Sequence, residues 1–68
     1  MLSDTDRAIL DVAGRRYRQR GTLEAAVRDE LGCTYTRYLQ RLNRLLDDPD
    51  ALAYAPQTVY RLRRIARR

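Results

Sequence analysis

Apolar residues recur every three or four positions between residues 35 and 46, in the stretch YTRYLQRLNRLL. This spacing predicts a helix with one buried side, because residues three and four apart share a face of an α-helix. The side expected to be buried consists of Tyr35, Tyr38, Leu39, Leu42, Leu45 and Leu46. The opposite side is polar, and it consists of Thr36, Arg37, Gln40, Arg41, Asn43, Arg44 and Asp47.

The side chains on the polar side of this helix are of the types that recognise nucleic acids. Arginine suits phosphates and guanine edges, and side-chain amides suit adenine. Thr34 is the expected N-cap, which puts Arg37 in the first turn, where the helix dipole disfavours a cation by about 0.3–1 kcal/mol. A bound anion would offset that cost. The alternative interpretation is a solvated helix face without a ligand.

A shorter amphipathic segment precedes this helix. It is expected to begin after a Thr22 cap and to end at Gly32, which takes the positive φ of the turn. A helix, a glycine turn and a second helix with a polar face are the order of a helix-turn-helix motif. Cys33 is expected to be a small buried residue in the corner.

Two alignments of the second helix disagree about two residues. Aligning Gly32 with the turn glycine of a generic helix-turn-helix places Tyr35 and Leu39 outward, whereas periodicity buries both. We expect Leu39 to be buried, because an exposed leucine between core positions is unusual. For Tyr35, base stacking, a phosphate contact and packing all stay open.

Capping signals predict the other helices. Ser3 caps the first helix, which is expected to end near Arg20 with Gly21 as its stop. Asp48 and Pro49 start a short helix, and Pro56 starts the last one. The predicted fold is all-α: a single helix-turn-helix DNA-binding domain, 1–68, with a basic C-terminal helix. Its four to five helices cover about 4–20, 23–31, 35–47, 49–54 and 56–67.

Composition narrows the functional class. The 68 residues carry a net charge of +5, and every basic residue is an arginine, which favours a polyanionic partner. One cysteine and no histidine leave no zinc ligand set, no internal disulfide and no cysteine–histidine pair, so we expect neither an enzyme nor a cofactor or metal. No apolar run is long enough for a membrane span, and a single reduced thiol fits a cytoplasmic, nucleoid-associated protein.

The stretch from Leu31 to Arg64 resembles a family of small actinobacterial and actinophage proteins. The matching residues are Gly32, Thr34, Thr36, Arg37, Tyr38, Gln40, Leu42, Asn43, Leu45, Pro49, Ala51, Leu52, Pro56 and Arg61 to Arg64. Cys33 and Leu39 depart from the pattern, where a bulkier aliphatic residue and an aromatic one are expected. The resemblance implies a domain of unknown function with a presumed helix-turn-helix and an actinobacterial or phage source, but no target sequence.

The sequence therefore predicts a sequence-specific double-stranded DNA-binding protein. Its role would be transcriptional regulation or a phage DNA transaction such as excision or immunity. The helix at about 35–47 would enter the major groove, and a chain this small would act as a homodimer. The expected DNA-binding residues are Thr34, Tyr35, Thr36, Arg37, Gln40, Arg41, Arg44, Arg16, Arg20, Arg61 and Arg64. The last helix carries a basic tail that is expected either to be solvated or to clamp phosphates, and it consists of Arg61, Arg63, Arg64, Arg67 and Arg68.

Two other functions stay open from the sequence. The first is a helical adaptor that binds RNA polymerase, a sigma factor or a repressor, because acidic protein surfaces also attract arginine. The second is a shape-reading nucleoid or RNA binder without sequence preference.

Overall fold

In a computed structural model that describes residues 1–66, the chain forms five α-helices and one π-helical segment, with no β-strand in that range. The predicted all-α class is confirmed. No helix in this part of the chain combines the length and the apolar character needed to span a bilayer. The elements are α1 (Asp4–Gly14), α2 (Arg20–Ala26), the π segment (Val27–Leu31), α3 (Tyr35–Leu45), α4 (Pro49–Tyr54) and α5 (Pro56–Ala66).

Three predicted helix starts are confirmed by their capping hydrogen bonds. The Ser3 hydroxyl accepts from the Asp6 amide at 3.1 Å, and the Asp6 carboxylate accepts from the Ser3 amide at 3.3 Å, which completes a capping box. Thr34 caps α3, and Asp48 caps α4 ahead of Pro49. Each of these starts depends on groups only two or three residues apart.

The predicted end of the first helix is wrong, because α1 stops at Gly14 rather than near Arg20. Its terminal carbonyls find partners outside the helix. The Val12 carbonyl accepts from the Arg15 amide at 3.3 Å and from the Tyr17 hydroxyl at 3.0 Å. Residues 15–19 therefore form a loop, and their arginines do not occupy the last turn of a helix.

The predicted start of the second helix is also wrong. Helix α2 begins at Arg20, after an extended Gln19, so Gly21 lies inside the helix instead of stopping α1. Thr22 does not cap it, because Gln19 holds the N-cap position and Thr22 lies inside the helix. The second half of the predicted helix is the π segment, and Gly32 follows it with φ 65°, as expected.

The core forms where α1 meets the π segment, α3, α4 and α5. Its most completely buried side chains include Ile9 and Leu10 of α1, Val27 of the π segment and Val59 of α5. The end of α1 lies against α5 closely enough that a Cβ on Gly14 would be 3.0 Å from the Thr58 hydroxyl. Helix α1 is thus the central element of the fold.

Two apolar residues do not lie where the sequence pattern placed them. Leu39 is 38% exposed, so its predicted burial is wrong; it is about 100° around the helix from Tyr38, at the edge of the buried side. Cys33 is half-buried rather than buried.

Helix α5 is held by two arginines that were expected in a basic tail. Arg61 Nη2 donates to the Ala13 carbonyl at 2.8 Å, and Arg63 Nε donates to the Leu46 carbonyl at 2.7 Å. Both carbonyls lie at the C-terminal end of a helix, where backbone acceptors lack helical partners and cations are favoured. These two guanidinium groups therefore stabilise the fold.

Candidate nucleic-acid interface

The orientation of α3 is set at its first turn. Gly32 reverses the chain after the π segment, and the Thr34 hydroxyl then accepts a hydrogen bond from the Arg37 amide at 3.2 Å. From this start, Tyr38, Leu42 and Leu45 lie in the core. The polar side of α3 consequently faces away from the body of the protein.

Every residue of that polar side is exposed. Gln40 lies about 200° around the helix from both Tyr38 and Leu42, at the centre of the exposed face. The arginines flank it on one side, and the threonine and asparagine flank it on the other. We call those that lie within α3 the α3 face: Thr36, Arg37, Gln40, Arg41, Asn43 and Arg44.

The arginines of the α3 face are not engaged by carboxylates of the described residues. Within residues 1–66, no salt bridge or side-chain hydrogen bond involves the guanidinium groups of Arg37, Arg41 or Arg44. Together with Gln40, they line one shallow groove. Their charges are available to an anion that approaches from solvent.

One edge of the α3 face faces the π segment. There a groove is lined by Arg28, Arg37 and Arg41, with Glu24 as its acidic member. Arg28 is absent from the residues predicted from the sequence, because it lies in a segment whose net charge is negative. The sequence signal for Arg28 is its position four residues before Gly32, because the turn at Gly32 brings that part of the π segment to the same groove as α3.

The other edge carries aromatic and apolar groups. The Tyr35 ring is half-buried and lies 5.7 Å, centroid to centroid, from the Tyr38 ring. The Arg20 guanidinium lies 5.1 Å from the Tyr35 centroid, which is a cation–π distance. The Tyr35 ring therefore packs in part against Tyr38 and Arg20, while base stacking and a phosphate contact stay open for it. Arg20 is brought next to the start of α3.

The remaining predicted residues lie apart from this group. Arg16 is exposed in the loop 15–19, and Arg64 is exposed on α5. Among the described residues, no side-chain hydrogen bond or salt bridge joins either one to α3. Arg61 is half-buried and hydrogen-bonded to the end of α1. The tail residues Arg67 and Arg68 lie outside the described residues.

Most carboxylates of the described residues have partners outside the α3 face. Arg15 Nη1 donates to Glu30 Oε2 at 2.5 Å, and this hydrogen bond holds the pKa of Glu30 below its ordinary value, while its partial desolvation acts in the opposite direction. Asp4 pairs with Arg7 on α1. The Tyr54 hydroxyl donates to Asp11 at 2.9 Å, which raises the pKa of that tyrosine. These contacts leave the α3 face predominantly cationic.

The sequence profile of one protein family, DUF3263, matches residues 1–68, which is the whole chain. The chain belongs to the DUF3263 family. That family is described as "Protein of unknown function", so membership assigns no activity to this DUF3263 protein. No curated protein and no solved structure gives a significant match.

Proposed function

We propose that this DUF3263 protein is a sequence-specific double-stranded DNA-binding protein with α3 in the major groove. The observation that carries the proposal is the exposed α3 face, on which Gln40 lies centrally and no arginine is paired with a carboxylate of the described residues. An α-helix fits the B-form major groove, which is about 12 Å wide.

The positions on the α3 face suggest how the contacts divide. Gln40 and Thr36 lie where base edges would meet the helix, and a glutamine can make two hydrogen bonds to adenine. Arg44 and Arg20 are arginines near the two ends of the helix, and we assign them to backbone phosphates, which position a protein without reading sequence. Arg37 and Arg41 lie at the edge beside the π segment.

A homodimer is part of the proposal. The longest extent of the Cα trace is 28 Å, less than the ~34 Å that separates equivalent major-groove positions one helical turn apart. A single copy would therefore cover one half-site, whereas two copies related by a twofold axis would cover a palindrome. Sedimentation analysis of the protein with and without duplex measures this stoichiometry.

The biological setting follows from the same proposal. In this proposal, the segments on either side of Gly32 act as a helix-turn-helix motif. The protein would serve in transcriptional regulation or in a phage DNA transaction, as a nucleoid-associated protein of an actinobacterium or its phage. The helix, short turn and helix around Gly32 support this assignment.

The test compares two exposed glutamines. A target is first selected from sheared genomic DNA, and binding to target and random duplex is then measured for Gln40→Ala and for Gln57→Ala, whose glutamine is exposed on α5. Gln40→Ala is expected to reduce the preference for the target by about 1–3 kcal/mol, whereas Gln57→Ala leaves it unchanged. If Gln40→Ala loses affinity equally for target and random duplex, Gln40 does not read bases. If the wild-type protein shows no sequence preference at all, it is instead a shape-reading nucleoid or RNA binder.

A groove on the other side of α3 favours a second candidate, the protein-interaction adaptor. The half-buried side chains of Tyr17 and Leu62 and the exposed Leu39 line it, with Arg18 and Arg20 at its rim. Such a surface suits an acidic protein segment with an apolar anchor, as RNA polymerase, a sigma factor or a repressor could present. Absence of duplex binding at low salt would favour this function over the first.

A further inference from the structure

Arg28 lies outside α3 and lines a groove together with Arg37 and Arg41 of the α3 face. It is carried by the π segment, immediately before the turn at Gly32. Segments of π-helix are rare and occur often at functional sites. The turn thus places Arg28 of one element on the same groove as Arg37 and Arg41 of the next.

The charges around this groove favour an anion. Glu24 is its acidic lining residue, and the Glu24 carboxylate is already 3.3 Å from Arg20 Nε. The Arg28 guanidinium lies 3.7 Å from Asp29, but both side chains are more than 70% exposed, so water screens this pair. The groove is therefore lined by three arginines and by one carboxylate that already pairs with Arg20.

We propose that Arg28, Arg37 and Arg41 form a binding site for a single phosphate group, supplied by the DNA backbone that borders the groove entered by α3. Guanidinium groups match phosphate geometry through paired hydrogen bonds, and such charge-assisted bonds are the stronger class. This inference rests on the proposed function for the source of the phosphate. In this inference, Arg37 and Arg41 contact the phosphate backbone of the DNA rather than base edges. Gln40 and Thr36 are then the residues that recognise bases.

The experiment measures the salt dependence of duplex binding for Arg28→Gln against a matched control, Arg7→Gln. Both arginines are exposed on helical segments and pair with a nearby aspartate, but Arg7 lies on the α1–α4 side, in a groove with Asp50 and Tyr54. Each substitution removes one positive charge and keeps a good helix former. Circular dichroism establishes that both variants are folded.

Loss of one phosphate contact is expected to reduce the slope of log K against log salt by about 0.9, and to weaken target and random duplexes alike by roughly tenfold. Arg7→Gln should leave the slope unchanged. If wild-type protein binds duplex and both variants keep the wild-type slope, the phosphate site is refuted and the proposed function stands.

A second arm separates the DNA backbone from a free anion. Inorganic phosphate is titrated into wild-type and Arg28→Gln protein while the arginine Nε–Hε signals are followed by NMR. If the wild-type protein fails to bind duplex but phosphate shifts the signals of Arg28, Arg37 and Arg41, the proposed function fails and the site is one for a free phosphate. Absence of both duplex binding and shifts refutes both proposals.

Discussion

Replacing Gly32 with alanine isolates the cost of one backbone conformation. Gly32 has φ 65°, the only positive value among the described residues, and no atom beyond its chain neighbours would lie within 4 Å of an added Cβ. Steric overlap with the rest of the fold therefore contributes nothing. The remaining cost is that of a left-handed L-residue, about 1–2 kcal/mol.

The matched control is Gly21→Ala. Gly21 lies inside α2, and an added Cβ there would likewise meet nothing within 4 Å. Because alanine restricts the unfolded chain without straining a helix, this variant should gain about 0.4–1 kcal/mol in the free energy of unfolding. The same chemical change is thus expected to have opposite signs at the two glycines.

Urea and thermal unfolding followed by circular dichroism measure both variants. In a domain of this size, 1 kcal/mol corresponds to about 4–8 °C in Tm, so Gly32→Ala should melt lower and Gly21→Ala higher than the wild type. If Gly32→Ala proves neutral or stabilising, the left-handed turn between the π segment and α3 is wrong. The orientation of the α3 face would then lose its structural basis.

Three further predictions concern the cap, the anchor of α5 and a buried phenol. Ser3→Ala should lower the free energy of unfolding by about 0.5–2 kcal/mol through loss of the capping box, and equal urea midpoints for variant and wild type would contradict this. Arg61→Ala should cost about 1–2 kcal/mol because it removes the hydrogen bond to the Ala13 carbonyl, whereas Arg64→Ala, with no such bond, should stay within about 0.5 kcal/mol of the wild type. Desolvation by burial raises the pKa of Tyr38 to about 12, so its phenol stays protonated in the folded state at a pH where it ionises in the unfolded chain. Its stabilising contribution is full below pH ~10, the unfolded pKa. Above that it falls by at most about 1.4 kcal/mol per pH unit until the folded pKa. Urea titrations at several alkaline pH values should show this loss in the wild type and a smaller one in Tyr38→Phe.

The local parts of the fold could be predicted from the sequence. The caps at Ser3, Thr34 and Asp48 and the glycine turn at Gly32 all appear in the structure, and so does the burial of Tyr38. Each depends on groups within one or two turns of each other along the chain. The periodic spacing in α3 likewise separates a buried side from a polar one without any knowledge of the other helices.

The incorrect predictions concern residues whose surroundings are set by segments distant in the sequence. The Ala13 carbonyl at the end of α1 is satisfied by Arg61, 48 residues away, and no local pattern contains that information. Leu39 fits the apolar period, but it is exposed because the buried side of α3 is narrower than the stripe of leucines. Helix periodicity predicts which residues share a face of the helix, but it does not predict how much of that face a neighbouring helix covers.

By itself, the sequence determined that this chain is helical, that three of its helices begin at Ser3, Thr34 and Asp48, and that α3 has a polar side. Short-range hydrogen bonds and the helical period suffice for each of these. Only the tertiary structure decided where α1 ends, which arginines anchor α5, and that Arg28 lines the same groove as Arg37 and Arg41. Those outcomes depend on which helix packs against which, because a guanidinium group binds whatever carbonyl or anion the fold brings within its reach.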